Sequence, residues 1–234
     1  MKTLGRQALA EFLGTGLLVT VVVGSGIAAQ RLSPGDTGLQ LLENAAATAG
    51  GLIALILAFG SVSGAHFNPV VSLVDWRLGG LTRTALGVYI AAQTVGAVLG
   101  CWLANLMFEA PVFELSTRSR SSGALWVSEV VATVGLLLVI FGSGRGGNRR
   151  TTPFAVGLYI GGAYFFTSST SFANPAVTLG RMFSDTFAGI APGSVAPFVV
   201  AQLVGGLIGL ALVVILFPSV DADATLVPHS QELA

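Results

Sequence analysis

Charge is scarce in this chain: 9% of its 234 residues are Asp, Glu, Lys or Arg, where soluble domains carry about 25%. That scarcity excludes an ordinary water-soluble domain. Lys and Arg balance Asp and Glu at eleven each, and the basic residues are dispersed, so no positive field exists to hold nucleic acid. Cysteine is nearly absent. Cys101, alone in an apolar run beside Trp102, excludes an intramolecular disulfide and a thiolate metal or redox site, and reads as buried. No nucleophile is paired with a base, which excludes an enzyme, and no cofactor is expected.

What is abundant is apolar surface, with 53% hydrophobic residues. A helix crossing the hydrocarbon core needs about 20 mostly apolar residues. Such runs fall at 8–29, 44–62, 84–106, 124–142, 152–170 and 196–217, predicting six transmembrane helices. Lys2 and Arg6 precede the first run as in a signal peptide, but the run exceeds the roughly 7–15 residues of such a segment and no cleavage pattern follows. It is expected to be retained. Two further apolar segments, Asn68 to Trp76 and Asn174 to Ser184, are about half the length a crossing needs, and each opens on Asn-Pro.

Proline suits the first helical position, where its missing N–H would be unpaired anyway, and Asn before it is a good N-cap. The spacing therefore predicts two short helices beginning at Asn68-Pro69-Val70 and Asn174-Pro175-Ala176, each entered through a Gly/Ser-rich segment. Non-helical backbone survives at membrane depth only where it lines water or is buried in protein.

With six spans, Lys2, Arg6, Arg77, Arg83, Arg145, Arg149 and Arg150 share the side of the termini, against Arg31, Arg118, Arg120 and Arg181 opposite. This excess places both termini in the cytoplasm. The chain reads as one transmembrane domain over 1–220, in halves of about 1–115 and 116–220, with a polar and poorly ordered tail at 221–234.

The halves are repeats. The segment 91–100 aligns with 200–209 at five of ten positions, including Gln93 with Gln202, and Glu11 and Glu129 each sit in the second turn of the first span of their half. Three spans per half is odd, so the second copy is inverted, the arrangement in which ligand paths form between discontinuous helices. Two short helices would then meet N-terminus to N-terminus, each end carrying about half a positive charge. That junction repels cations while the Asn68 and Asn174 amides donate to a neutral solute.

Ala10-Glu11-Phe12-Leu13-Gly14-Thr15, Ser63-Gly64-Ala65-His66-Phe67-Asn68-Pro69-Val70, Gln93 and Asn174-Pro175-Ala176 together resemble the aquaporin, or major intrinsic protein, family over essentially the whole chain. The resemblance implies an all-α membrane fold, a right-handed bundle of six helices with two re-entrant half-helices. It also implies a homotetramer with one pore per subunit, in a plasma or bacterial inner membrane. The first motif departs from the family in ending on Val70. The second is followed by Val177, where most relatives carry arginine. By ungapped counting from the two asparagines, the family's selectivity filter falls on Thr48, Gly162, Ser171 and Val177, all small and uncharged, and a slip of one at Gly162 still lands on Gly161 or Ala163.

Two readings stand for Glu11 and Glu129: carboxylates near the interface, or acceptors for the backbone of each broken loop. An unpaired charge at that depth costs about 2.5–3.5 kcal/mol on insertion scales. His66 either fills space or stabilises and lines the loop; without a second ligand it holds no metal. Arg181, four residues after Val177, either lends charge to an outer vestibule or is a solvated helix end. Gly50, Gly51, Gly96, Gly100, Gly205, Gly206 and Gly209 read as close-packing positions.

Coupled transport needs ionisable residues along the path, and the spans offer only Glu11 and Glu129. A passive channel for small neutral solutes follows, with a structural membrane or junction protein as the alternative of another class. A wide, arginine-free filter resembles that of bacterial aquaporins linked to arsenic resistance, which implies arsenite or methylated arsenic acids. Glycerol-type polyols and then water are the other candidates.

Overall fold

The computed structural model describes residues 3–145 and 150–218. Lys2 and Arg149, which entered the charge comparison, and the tail from Asp221 lie outside the described residues. The described secondary structure is entirely helical: α1 Thr3–Leu32, α2 Thr37–Ser63, α3 Pro69–Arg77, α4 Arg83–Met107, α5 Gly123–Arg145, α6 Thr152–Phe166, α7 Pro175–Gly180 and α8 Pro192–Leu216, with one tight 3₁₀ turn at Arg181–Phe183.

Local chemistry sets the ends of these helices. Asp36 Oδ1 accepts from the Leu39 N–H at 2.9 Å to start α2, and Thr82 Oγ1 accepts from Ala85 at 3.1 Å to start α4. Gly64 closes α2 at φ +86°, a left-handed cap that glycine adopts without strain. Five helices, α1, α2, α4, α5 and α8, are long and apolar enough to cross a membrane. The fifth run in the sequence, expected over 152–170, yields only the 15 residues of α6, about 22 Å of helix. It stops because Thr167 turns its hydroxyl back onto the Ala163 carbonyl at 2.6 Å, after which Thr170 and Ser171 take left-handed φ values of +63° and +50°.

Helix α1 packs on α4 and α2, and α5 packs correspondingly on α8 and α6, while α2 meets α6 across the halves. Glycines permit the closest approaches. A Cβ on Gly96 would strike the Phe12 carbonyl, and one on Gly205 would lie 2.8 Å from the Val130 carbonyl, the equivalent contact of the second half. Gly51, Gly100, Gly206 and Gly209 are crowded in the same way. Gly50 is not: it is exposed, with open space where a Cβ would go, because it lies on the outer face of α2. Many leucines face outward, Leu158 and Leu207 at 67% exposure each, as a lipid-facing surface requires.

The half-helices interlock the halves. α3 packs against α4 and α8, and α7 against the same two helices. For direction, the near face is the end of the bundle where α1 begins, and the far face carries the α1–α2, α4–α5 and 181–191 connections.

Candidate functional site

Each half-helix begins as its Asn-Pro dictates. Asn68 Oδ1 accepts from Val70 at 2.9 Å; Asn174 Oδ1 accepts from Ala176 at 3.0 Å and Val177 at 3.2 Å. The amide groups then reach across: Asn68 Nδ2 donates to the Ala173 carbonyl and Asn174 Nδ2 to the Phe67 carbonyl, both at 2.7 Å. An amide nitrogen carries two hydrogens, so each asparagine keeps one donor, and both residues line the same cavity.

The loops entering the half-helices carry left-handed, non-glycine residues: Ala65 and Phe67 in the first, Thr170, Ser171 and Ala173 in the second. Each such residue costs about 1–2 kcal/mol, so something must hold them. Glu11 accepts from Ser63 Oγ, from the His66 and Phe67 N–H groups and from Gln93 Nε2, at 2.6, 3.0, 2.7 and 2.7 Å. Glu129 accepts from the Phe172 and Ala173 N–H groups and from Gln202 Nε2, at 2.9, 2.9 and 2.6 Å. Both carboxylates are fully buried. Gln93 also donates to Ser72 and Gln202 to Thr178, tying α4 to α3 and α8 to α7.

The cavity offers about 90 Å³ to the centres of water-sized molecules, several times the roughly 10–15 Å³ that one water needs. Its wall is apolar along α1, α2, α5 and α6, through Leu18, Leu52, Leu136 and Val156 among others. A polar stripe runs through it, from His66 past Asn68 and Asn174 to Ser171 and Arg181, with Thr48 and Tyr164 paired hydroxyl to hydroxyl at 3.1 Å.

Of the four residues counted as a filter, Thr48, Ser171 and Val177 line the cavity. Gly162 does not. It is exposed and open where a Cβ would go, while Ile160 and Tyr164, two residues to either side, face inward. A helix turns about 100° per residue, so a two-residue slip in the count puts Gly162 on the opposite face and a tyrosine in the wall. Arg181, only 2% exposed, lines the same cavity as Val177, so of its two readings the solvated helix end is the one that fails.

Val70 fits because of what lies opposite. It is fully buried, and a Cβ on Gly206 would come within 2.8 Å of its Cγ1. The extra methyl groups of Asn-Pro-Val occupy the space that glycine leaves.

Sequence reasoning missed three residues. Tyr164 was legible as the i+4 partner of Ile160. Phe172 and Arg120 carried no pattern. Arg120, in the α4–α5 connection, donates from Nε to Gly189 at 2.9 Å and from its Nη groups to the Ser169 and Phe187 carbonyls. Burial, then the like charges of Arg181 and Arg118, push its guanidinium down to about 9, still protonated at neutral pH. The described residues hold no metal-binding cluster.

Residues 1–172 match the family model described as major intrinsic protein. The chain belongs to the major intrinsic protein family. Within this channel family it is similar to proteins named as aquaglyceroporins and to proteins named as aquaporins. It is 50% identical over 209 residues to aquaglyceroporin AqpS of Rhizobium meliloti (strain 1021), covering 89% of each chain. It is 30% identical over 227 residues to aquaporin Z of Rhodopseudomonas palustris (strain ATCC BAA-98 / CGA009), covering 90% of this chain and 92% of that one. The X-ray structure of the aquaglyceroporin from Plasmodium falciparum superimposes with a TM-score of 0.68 at 22% identity, covering 89% of this chain and 95% of that one. The major intrinsic protein fold, with its inverted pair of three-span halves, accounts for the helices described above.

Proposed function

We propose that this channel passes uncharged, oxygen-bearing solutes larger than water, namely polyols and neutral arsenite or methylated arsenic acids, together with water. The observation that carries the reading is Val177: an apolar side chain in the cavity wall at the position directly after Asn-Pro-Ala. The 50% identity to a protein named as an aquaglyceroporin supports it. In this reading Asn68 and Asn174 are the central donors, and Thr48, Ser171, Val177 and Tyr164 flank the constriction on the far side. Glu11 and Glu129 hold the loops, His66 lies on the near side and Arg181 on the far side. The channel sits in a plasma or bacterial inner membrane with both termini cytoplasmic, as a homotetramer with one pore per subunit.

Stopped-flow light scattering on proteoliposomes with water, glycerol, urea and arsenite tests this. Glycerol and arsenite should re-swell the vesicles well above the rate of empty liposomes. Water flux alone would favour a water-selective aquaporin, a reading that the bulk of Tyr164, held against Thr48, supports. No flux of any solute would leave a closed pore and a structural role.

A further inference from the structure

We infer that Arg181 is the specificity-determining cation of this pore, a solute-contacting residue delivered from one turn beyond Val177, with the Ser171 hydroxyl as its partner. The inference rests on the solute-channel reading above and names the chemistry of its far-side constriction.

The two buried arginines near Phe172 are used differently. Arg120 spends donors on three backbone carbonyls and braces the far-face loops. Arg181 makes a single side-chain hydrogen bond among the described residues, from Nε to the Ala188 carbonyl. Its guanidinium carbon lies 3.4 Å from the centroid of the Phe172 ring, which fixes the plane of the group through cation–π contact. No carboxylate pairs with it among the described residues. Both Nη groups therefore retain their donors in a residue that lines the cavity.

A buried charge without a counter-ion is expensive unless something else solvates it, so the contents of the cavity must supply the missing acceptors. Ser171 has the complementary deficit. Its hydroxyl is buried in the same wall with no partner among the described residues, and the residue is held at φ +50° with its N–H bonded to Ser169 Oγ at 3.2 Å. The wall thus presents charged donors and a free hydroxyl that donates or accepts. The ligand that satisfies both is an uncharged molecule with oxygen lone pairs and at least one hydroxyl: a polyol or a neutral oxyacid. A metal cation is repelled by the same guanidinium.

Proteoliposomes carrying the full chain, with water and glycerol flux and voltage-clamped cation conductance, test the assignment. Arg181→Met keeps much of the stem and removes the donors. It should lower the glycerol-to-water ratio about tenfold or more, the size of one lost charge-assisted hydrogen bond, and raise cation conductance. Arg181→Lys should keep cations out and lose less glycerol flux; Ser171→Ala should shift the ratio in the same direction by less. Arg120→Met should lower the detergent melting temperature with the ratio unchanged. Inserted Arg181→Met and Ser171→Ala variants that keep the parent ratio and cation exclusion would overturn the inference. If Arg181→Met does not fold, unchanged ratios in both Arg181→Lys and Ser171→Ala overturn it equally. A parent that passes water alone defeats the solute reading, and a cation leak in Arg181→Met would then still support Arg181 as the pore's cation.

Discussion

In the first half of the chain the His66 ring faces Asp75, Nε2 to carboxylate at 3.6 Å; counted from the second asparagine instead of the first, the same two positions hold Phe172 and Arg181, stacked ring to guanidinium. Closer to the asparagines the halves scarcely differ. Ser63 and Ser169 cap the same N–H, in Ala65 and Ser171. Phe67 and Ala173 share a left-handed φ, and Val71 and Val177 both line the cavity. The difference shows which constraints bind. Backbone donors at membrane depth must be satisfied, so the loop scaffold is held alike in both copies. The side chains two before and seven after each asparagine carry no such obligation, and they have diverged: His66 lines the cavity with Asp75 buried beside it in the first half, and Phe172 and Arg181 line it in the second. The path is symmetric in construction, and its guanidinium belongs to one half.

The sharpest way to break the comparison is to remove one carboxylate at a time. Glu11→Leu orphans two loop N–H groups plus the Ser63 and Gln93 donors, and Glu129→Leu orphans two N–H groups and Gln202. At about 1–3 kcal/mol per buried unsatisfied group, both should be severely destabilised, Glu11→Leu more so, with the Gln variants milder. Detergent melting should rank parent, Gln, Leu at each site. A leucine variant as stable as the parent would strike that carboxylate from the scaffold.

A smaller effect tests the valine–glycine pair of Val70 and Gly206, whose repeat equivalents are Ala176 and Ala97. Gly206→Ala should cost about 1–3 kcal/mol by overpacking against Val70, and Val70→Ala in the same chain should restore much of it. Additive losses in the double variant would mean that Val70 and Gly206 do not share that space.

The smallest and most selective effect concerns the paired valines. Val177→Arg puts a second guanidinium into the wall near Arg181, and should cut glycerol flux roughly tenfold relative to water, about 1.4 kcal/mol of added barrier. Val71→Arg introduces its charge on the side of Asp75 and should change the same ratio less. Stopped-flow measurement of both variants decides it; equal effects would show that the charge difference between the two halves does not reach the constriction.

Spans, half-helices and the repeat were legible because each rests on length or on residues that the membrane allows few substitutes for. Apolar runs must be long, Asn-Pro caps a helix with few alternatives, and Glu11, Glu129, Gln93 and Gln202 would be costly at depth without partners. Positions around a helix were less legible. Gly162 was misplaced because rotation accumulates with every residue counted across a loop whose path was unknown, and Gly50 because composition alone does not tell an inner glycine from an outer one. That Arg181 and Val177 share a helical face could be read from their spacing. That Phe172 holds the guanidinium in the wall could not, since the ring comes from a loop whose left-handed turns no pattern announced.

The crossed bonds from Asn68 to the Ala173 carbonyl and from Asn174 to the Phe67 carbonyl also constrain the order of assembly. Synthesis delivers the first half before the second, and until both are present Asn68 Nδ2 and the Phe67 carbonyl lack their partners. In hydrocarbon each unpaired group costs several kcal/mol. A lone first half therefore holds its loop at the wet interface or leaves it unstructured, and the re-entrant geometry locks only on docking of the two copies. The contact that completes the conduit is thus the one that only the paired halves can make.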